Sequence, residues 1–362
     1  METITVNLGR RSYSVHIGNG LLSSVGRYLR EVSEGEKVVV LTVPPVRGLY
    51  GRIVEDSLSN EGLDYFIIEV PDGEGAKSFE SYLEVVNALL EHNVGREAVI
   101  ASFGGGCVGD LAGFVAATYM RGTKLAHIPT TLLAQVDSSI GGKVAINHPL
   151  AKNLIGTFYQ PKLVVTDVGL LKTLPPREIR NGIAELIKYG AILNSSLFSI
   201  LEQYKDDIKG LQSDLIERIV SIAIKIKADV VAIDEFDKNA RMLLNFGHTV
   251  GHALESATSY SYYSHGEAVG VGMVVEGRIS NRLGLLSHRD LHRMESLISA
   301  YGLSKRARRG SVEGVLTSIY HDKKVRSGKL RFAVPTKIGE GTVITDPPEE
   351  IITSSLEEVM CN

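Results

Sequence analysis

The sequence predicts an α/β protein with an added helical half: a Rossmann-like, mostly parallel α/β domain over residues 1–173 and an all-helical domain over 174–362. Three observations predict it. Short β-branched runs alternate with segments of helical period through the first half. From about Glu178 to Ile319 nearly every segment has helical period. Between the halves stands Leu174-Pro175-Pro176-Arg177, where two prolines end one element and open another.

Taken in order, residues 3–8 and 12–17 alternate about Gly9-Arg10-Arg11, the pattern of a hairpin in front of the sheet. The runs 37–42, 64–70, 98–102, 125–128 and 163–166 are strand candidates, with helical patterns such as 78–92 and 111–120 between them. Strands separated by helices need crossover connections, which make neighbouring strands parallel. In the second half 214–233 and 290–301 are clear helices, and 330–335 with 341–345 suggest a small hairpin. Two domains imply a cleft, and such clefts favour small-molecule sites.

A chain of 362 residues is long enough for two sizeable cores. A net charge of −3, with no basic block interleaved with aromatics, argues against a nucleic-acid partner. The cluster Lys305-Arg306-Ala307-Arg308-Arg309 is short and reads as a solvated helix end or loop. Cys107 and Cys361 are the only cysteines. They suggest neither a disulfide framework nor a thiolate metal site, and fit a reducing cytoplasm. Residues 1–6 alternate like a strand and carry no signal-peptide core, and no apolar run reaches membrane-spanning length.

The stretch from Arg241 to Glu255 carries the most chemical information. Arg241, Asn245, His248, His252 and Glu255 recur at intervals of four, three, four and three, which on one continuous helix puts them on one face. A solvated face mixes lysines and glutamates; this stripe has a guanidinium, an amide and two imidazoles. His265 follows in His265-Gly266-Glu267. His248 and His252 have the spacing of the zinc motif H-E-x-x-H, but Thr249 stands where its general base belongs, which disfavours a zinc protease. A third ligand must come from elsewhere, and Glu185 is the best candidate. It shares a helix face with Lys188 in an otherwise apolar segment, an unfavourable place for unpaired charge. Two imidazoles and a carboxylate with an open position make a catalytic zinc set. A buried Glu–Lys pair beside structural histidines is the other reading of the same residues.

The strand candidate 98–102 runs into Gly104-Gly105-Gly106-Cys107-Val108-Gly109-Asp110 and then a helical pattern. Bare backbone at a helix amino terminus suits a phosphate. Gly104, Gly106 and Gly109 match G-x-G-x-x-G, yet the loop follows a late strand and no acidic residue sits at the expected offset. A phosphate-cradling loop in another α/β arrangement is favoured. Gly73-Glu74-Gly75-Ala76-Lys77-Ser78 and Ile140-Gly141-Gly142-Lys143-Val144 each lack a residue that a nucleoside-triphosphate loop needs. Lys77, Lys143 and Lys152 lie in surroundings where a lysine meets an anion, or else are solvated surface residues.

Longer motifs run in order along nearly the whole chain. They include Asp72-Gly73-Glu74, the glycine loop, Tyr119-Met120-Arg121-Gly122, the run from Pro129 through Thr130-Thr131 and Asp137 to Lys143, and Lys152-Asn153-Leu154-Ile155-Gly156. The Glu185 segment, the 241–255 stretch, His265-Gly266-Glu267 and Asp322-Lys323-Lys324 complete them. This set resembles the 3-dehydroquinate synthases, sugar-phosphate cyclases of the shikimate route to chorismate and aromatic amino acids.

The resemblance implies an NAD-binding α/β domain, a helical metal-binding domain and a homodimer. It implies conversion of a phosphorylated sugar acid, 3-deoxy-D-arabino-heptulosonate 7-phosphate (DAHP), to 3-dehydroquinate and phosphate. The steps would be transient oxidation by NAD, phosphate elimination, re-reduction and intramolecular aldol closure. By position it implies zinc or cobalt on Glu185, His248 and His265. It implies NAD on Asp72, Gly73, Glu74 and Lys77, on Gly105, Gly106, Cys107, Val108, Gly109 and Asp110, and on Thr130, Thr131, Lys143 and Lys152. The segment Leu170, Leu171, Lys172 and Thr173 would meet NAD as well. Lys188, His252 and Asp137 would contact substrate hydroxyls. Lys143, Asn153, Asn245 and one of Lys323 and Lys324 would hold the phosphate, with Arg121 serving the site of the other subunit. The substrate's own phosphate would remove the proton lost in elimination.

Lys227 and Arg241 are implied to read the substrate carboxylate, for which a fork-shaped guanidinium is suited. Related cyclases such as 2-deoxy-scyllo-inosose synthase act on sugars without that carboxylate, so the pair favours DAHP over glucose 6-phosphate or sedoheptulose 7-phosphate. Lys227, beside Lys225, also reads as a helix-surface residue. One departure concerns NAD: where the family usually has an acidic residue for the adenosine ribose, this chain has Val43. A metal-dependent polyol or glycerol-phosphate dehydrogenase would share the fold and release NADH. The anion-binding lysines and Lys227 with Arg241 favour the cyclase.

Overall fold

A computed structural model describes residues 1–149, 151–325 and 328–360, apart from the side chains of 322–325. In chain order the first elements are β1 (Glu2–Val6), β2 (Tyr13–Gly18), α1 (Val25–Ser33), β3 (Val38–Thr42), α2 (Pro44–Asn60), β4 (Tyr65–Glu69) and α3 (Phe79–Glu91). They are followed by β5 (Val99–Gly104), α4 (Gly106–Thr118), β6 (Lys124–Pro129), β7 (Lys143–His148), β8 (Ala151–Phe158) and β9 (Leu163–Asp167). Then come α5 (Pro176–Ile192), α6 (Ser195–Gln203), α7 (Lys205–Lys209), α8 (Ser213–Ile233), α9 (His248–Ala257), α10 (His265–Arg282), α11 (His288–Ala300) and α12 (Val312–Val325). The hairpin β10 (Arg331–Lys337) and β11 (Glu340–Thr345) and the helix α13 (Glu349–Glu357) follow.

The chain forms two compact units: Met1–Leu174 with Ser213–Phe236, and Pro175–Gln212 with the residues from Asp237 onward. The helix α8 therefore belongs with the sheet, although its sequence position puts it in the helical half. Its apolar face, with Leu215, Ile219, Val220 and Ile224 buried, covers β1, β2 and the turns at 134–138 and 168–173. The amino group of Met1 meets Glu217 at 2.9 Å. Helical period identifies such an element without saying which body its face covers.

The first unit holds a seven-stranded sheet in the order β1-β2-β9-β6-β5-β3-β4. Only β1 and β2 pair antiparallel; the other neighbours are parallel. Strands β3, β5 and β9 are buried at every position, as sheets covered on both faces require. Along β3, Val39 and Leu41 pack with Val85 and Leu89 of α3 and Leu111 and Val115 of α4. Val38 and Val40 face the other way, toward Val25 and Leu29 of α1 and Val54 and Leu58 of α2. Because β3 pairs with β4 on one side and β5 on the other, the chain leaves β3 and β5 in opposite directions. The carboxyl ends of these two strands thus diverge at a topological switch point, where open α/β sheets bind ligands.

The strands β7 and β8 form a separate antiparallel pair that the sequence reading does not anticipate. Val144 and Ile146 are buried, and Val144 lies so close to α4 that a Cβ on Gly113 would stand 2.2 Å from its Cγ1.

In the second unit the continuous helix expected over 241–255 is broken. Residues Ala240–Asn245 form a 3₁₀ turn, and Gly247, at φ 80°, is the N-cap of α9. The reason is close packing on α10. A Cβ on Gly272 would stand 1.9 Å from the Gly247 carbonyl oxygen, and one on Gly247 2.6 Å from Met273 Cγ. His248, His252 and Glu255 keep their helical spacing; Arg241 and Asn245 belong to the turn before it.

Glycine contacts of this kind make a sharp prediction in the first unit. A Cβ on Gly26 of α1 would stand 2.1 Å from the Ser57 carbonyl oxygen of α2. Gly26→Ala is expected to destabilise the protein by about 2 kcal/mol or more, read as a lower midpoint in thermal unfolding. An unchanged midpoint would contradict the packing described.

Candidate active site

In the first unit β5 ends at Gly104, and Gly105 opens α4 without a capping side chain. A Cβ on Gly106 would stand 2.9 Å from Ser138 Oγ, one on Gly104 2.9 Å from Val108 Cγ2 and one on Gly105 3.2 Å from Thr131 Cγ2. The loop is bare backbone by steric requirement. With Gly109, His127 and Ser138 it lines a small cavity at the amino end of α4, where N–H groups and the helix dipole suit a phosphate. Thr130 donates its N–H to Gly104 O at 3.0 Å, and Thr131 Oγ1 accepts from Ala134 N at 3.1 Å.

A polar network adjoins the loop. Buried Lys77 donates to Asp110 Oδ2 at 2.6 Å and also to Asn153 Oδ1. Glu74 accepts from Asn147 Nδ2 at 2.7 Å and faces Lys152 Nζ at 3.7 Å. Asn153, at φ 55°, donates its N–H to Asn147 Oδ1 at 2.9 Å. Burial works against the Lys77 charge, but Asp110 and Glu74 outweigh it and hold the ammonium above its usual range. Burial raises the Asp110 carboxyl, with Lys77 opposing. Burial, with Glu74 adding, pushes the Cys107 thiol up to about 12. The structure thus brings Glu74, Lys77, Cys107, Asp110 and Lys152 together, and adds Asn153, which the resemblance assigns to the substrate phosphate.

Asp137 lies in a π-helical turn, Ala134–Ser138. Lys227, 5 % exposed, donates to its Oδ1 at 2.7 Å and its main-chain oxygen at 2.6 Å. Lys227 is therefore no surface residue, and its ammonium already has a carboxylate. Lys143 is exposed at the start of β7. Leu170 and Leu171 are buried in a 3₁₀ turn, while Lys172 and Thr173 are exposed. The Tyr50 hydroxyl lies 2.7 Å from Thr173 Oγ1. Arg121 is exposed at φ 64°, directly after Met120 at φ 47°. Val43 is buried at the end of β3 and caps α2 without a side-chain hydrogen bond.

In the second unit α5 is almost entirely buried, and it carries Glu185 at 0 % exposure. Glu185 Oε1 lies 3.3 Å from His265 Nε2 and 3.5 Å from His248 Nε2, while Oε2 contacts the buried Lys188 ammonium. His248 Nδ1 lies 3.1 Å from Phe246 O. That contact assigns the proton to Nδ1 and leaves the Nε2 lone pair toward Glu185. Burial pushes this imidazole down to about 4, with Glu185 opposing, so it is neutral at physiological pH. The His252 ring sits 5.2 Å from that of His248 and 6.1 Å from that of His265. Glu255, which the sequence leaves without a role, has a carboxylate oxygen within 4.8 Å of ligand nitrogens of His252 and His265. Arg241 is buried and Asn245 half-buried in the turn before α9. The side chains of Lys323 and Lys324 lie outside the described residues.

Other residues place these groups, and sequence reasoning passes over them. Asn181 Oδ1 accepts the Gly266 N–H at 3.1 Å, and a Cβ on Gly266 would stand 2.5 Å from Asn181 Cα. Glu267 accepts from Ser264 N at 2.9 Å and pairs with Arg177 at 2.8 Å. These contacts lock the start of α10, and hence His265, against α5 and Glu185. Glu276, inside α10, accepts from backbone N–H groups at the start of α9. Its only sequence signal is a lone carboxyl in the apolar run around Val274-Val275-Glu276-Gly277.

Two sequence-family models match the chain: 3-dehydroquinate synthase N-terminal over residues 67–181 and 3-dehydroquinate synthase C-terminal over residues 182–325. The chain belongs to the 3-dehydroquinate synthase family. The family member from Desulforamulus reducens is 45% identical over 359 residues, covering 99% of this chain and 100% of its own length. The one from Rippkaea orientalis is 43% identical over 354 residues, 97% of either chain. Among solved structures, a 2-epi-5-epi-valiolone synthase from Streptomyces hygroscopicus, with NAD+ and Zn2+ bound, matches at TM-score 0.90 and 26% identity over 98% of both chains. A 2-deoxy-scyllo-inosose synthase with carbaglucose-6-phosphate, NAD+ and Co2+ matches at TM-score 0.86 and 25% identity, over 99% of this chain and 100% of that one. A probable glycerol dehydrogenase from Sinorhizobium meliloti shares the fold alone, at TM-score 0.67 and 15% identity over 95% of both chains.

Against this family background, the donor sets fit both groups. The ligand atoms of Glu185, His248 and His265 lie within 4.8 Å of one another, and two imidazoles with a carboxylate suit zinc or cobalt. The glycine loop at the amino end of α4 presents bare backbone, the chemistry that suits a dinucleotide's phosphates.

The Cys107 thiol yields a prediction. It sits at a helix amino end, where a thiol is often activated, yet its burial keeps it protonated far above neutrality. Modification of Cys107 by iodoacetamide, followed by peptide mass spectrometry, should be slow in the folded protein up to about pH 9 and fast once unfolded in urea. Rapid alkylation of the native protein at pH 8 would contradict the burial described.

Proposed function

We infer that this chain catalyses the 3-dehydroquinate synthase reaction, conversion of DAHP to 3-dehydroquinate and phosphate. The observation that carries the reading is the convergence of Glu185, His248 and His265 on one point in a chain of this family. When bound, NAD supplies a reversible hydride acceptor and the divalent metal supplies positive charge to the substrate's hydroxyl oxygens.

The chain's own residues bind and orient. Glu185, His248 and His265 hold the metal; Lys188, fastened to Glu185, holds a proton on Nζ and orients a hydroxyl, and His252 orients another. The glycine loop presents backbone N–H groups to the dinucleotide, and the Lys77 network fixes the loop beside it. Asn245 and Lys143 serve the phosphate. Arg241 takes the carboxylate. Lys227 is assigned to holding Asp137, because its ammonium is already bonded there. Homodimer formation, with Arg121 serving the other subunit's site, is part of the proposal and rests on the family resemblance; Arg121 is exposed. Among the described residues no helix is long and apolar enough to cross a membrane. A cytoplasmic setting is proposed from the cysteine usage.

With zinc or cobalt, DAHP and trace NAD, the purified protein is expected to release phosphate continuously without accumulating NADH. Stoichiometric NADH would instead support a polyol dehydrogenase, and faster turnover of glucose 6-phosphate would support another cyclase. Arg241→Ala is expected to raise KM for DAHP about 10- to 100-fold, the value of a charge-assisted hydrogen bond. An unchanged KM would remove the carboxylate assignment.

A further inference from the structure

The helix α9 begins with the metal-site residue His248, but its N-cap is Gly247, which has no side chain to bond the first N–H groups. Those donors are unsatisfied within the helix itself. The structure supplies a cap from another element. Glu276 of α10, at 0 % exposure, accepts from Gly247 N through Oε2 at 2.6 Å and from Val250 N through Oε1 at 3.1 Å. One carboxyl thus clamps both sides of His248. We propose that Glu276 is a positioning residue of the metal centre: by fastening the amino end of α9 to α10 it sets where His248 presents Nε2 to Glu185.

Three further observations support the proposal. The N-cap is glycine because α9 and α10 touch backbone to backbone at this point: a Cβ on Gly251 would meet the Ala268 carbonyl at 3.2 Å, and one on Gly272 would meet Gly247 O at 1.9 Å. An ordinary Ser or Asp cap has no room there, and Glu276 takes its place from across the contact. Second, His248 Nδ1 is tied to Phe246 O at 3.1 Å, so ring direction follows the backbone of 246–248, which Glu276 holds. Third, the Glu276 carboxyl is fully buried and turns one oxygen to the Gly247 N–H and the other to the Val250 N–H. A fully buried acid is unfavourable unless bonds of this kind compensate. None of these residues needs to touch substrate; the carboxyl acts through His248.

The proposal rests on the metal reading above, and its test separates the two. Metal-free protein is titrated with Co2+ against a competing chelator, following the cobalt absorption spectrum, for wild type, Glu185→Ala, Glu276→Gln and Glu276→Asp. If wild type and Glu185→Ala bind cobalt alike, the metal reading fails. Given a difference there, Glu276→Gln turns an amide N–H toward a backbone N–H, and Glu276→Asp withdraws the carboxyl by one methylene. Both should weaken Co2+ binding about 10- to 100-fold, the range for outer-shell partners of metal ligands. Both should also alter the cobalt spectrum and leave NAD affinity within about twofold. Wild-type cobalt affinity and spectrum in either folded variant would overturn the proposal, even with a lowered melting temperature, because Glu276 would then be structural only. Should both variants fail to fold, hydrogen exchange on the wild type decides. The Gly247 and Val250 amides must exchange slowly, and rapid exchange at either overturns the clamp.

Discussion

The second unit is organised around a carboxyl group that has been removed from water. Glu185 has no exposure and sits in a helix that is buried on nearly every side, so its charge must be answered locally. One oxygen contacts Lys188 and the other faces two imidazole nitrogens. Each partner depends on a further constraint. His265 is placed by the bond from Gly266 to Asn181 and the Glu267–Arg177 pair, and His248 by Glu276 beneath the start of α9. Removing Lys188 would leave a buried charge with too few partners, a severe destabilisation. A divalent cation is the partner such a donor set suits.

The first unit solves a different problem, the approach of a ligand to backbone. Its glycine loop lies after β5, in the middle of the sheet, where the strand order reverses. The sequence shows the loop as the product of a late strand, which looks irregular for a dinucleotide fold until the strand order is known. Lys77, Asp110 and Asn153 then tie the segment before α3, the start of α4 and β8 to one another.

What was legible in the sequence follows from the range of the interactions involved. Parallel strands buried on both faces are continuous apolar runs, so β3, β5 and β9 stand out by composition alone. Period identifies α8 as a helix but is silent on whether its face covers the sheet or other helices. The stripe from Arg241 to Glu255 keeps helical spacing across a break, and the close contact that accompanies the break joins Gly247 to Gly272, far along the chain. Residues β7 to β8 are hidden by flanking Gly, Asn and His. Glu276 carries almost no local signal, since the groups it caps lie 26 and 29 residues away. The cluster of Glu185, His248 and His265 was legible because imidazoles and a carboxylate in largely apolar segments are chemically conspicuous wherever they lie. Lys227 was legible as a cation, but its bond to Asp137 required the fold.

X-ray absorption spectroscopy of the zinc-reconstituted protein reads the Glu185, His248 and His265 site directly. One zinc per chain is expected, with only nitrogen and oxygen donors at about 2.0–2.2 Å, two of them imidazole, and loss of that signal in Glu185→Ala. A sulfur donor, the absence of imidazole scattering, or an unchanged spectrum in Glu185→Ala would contradict it.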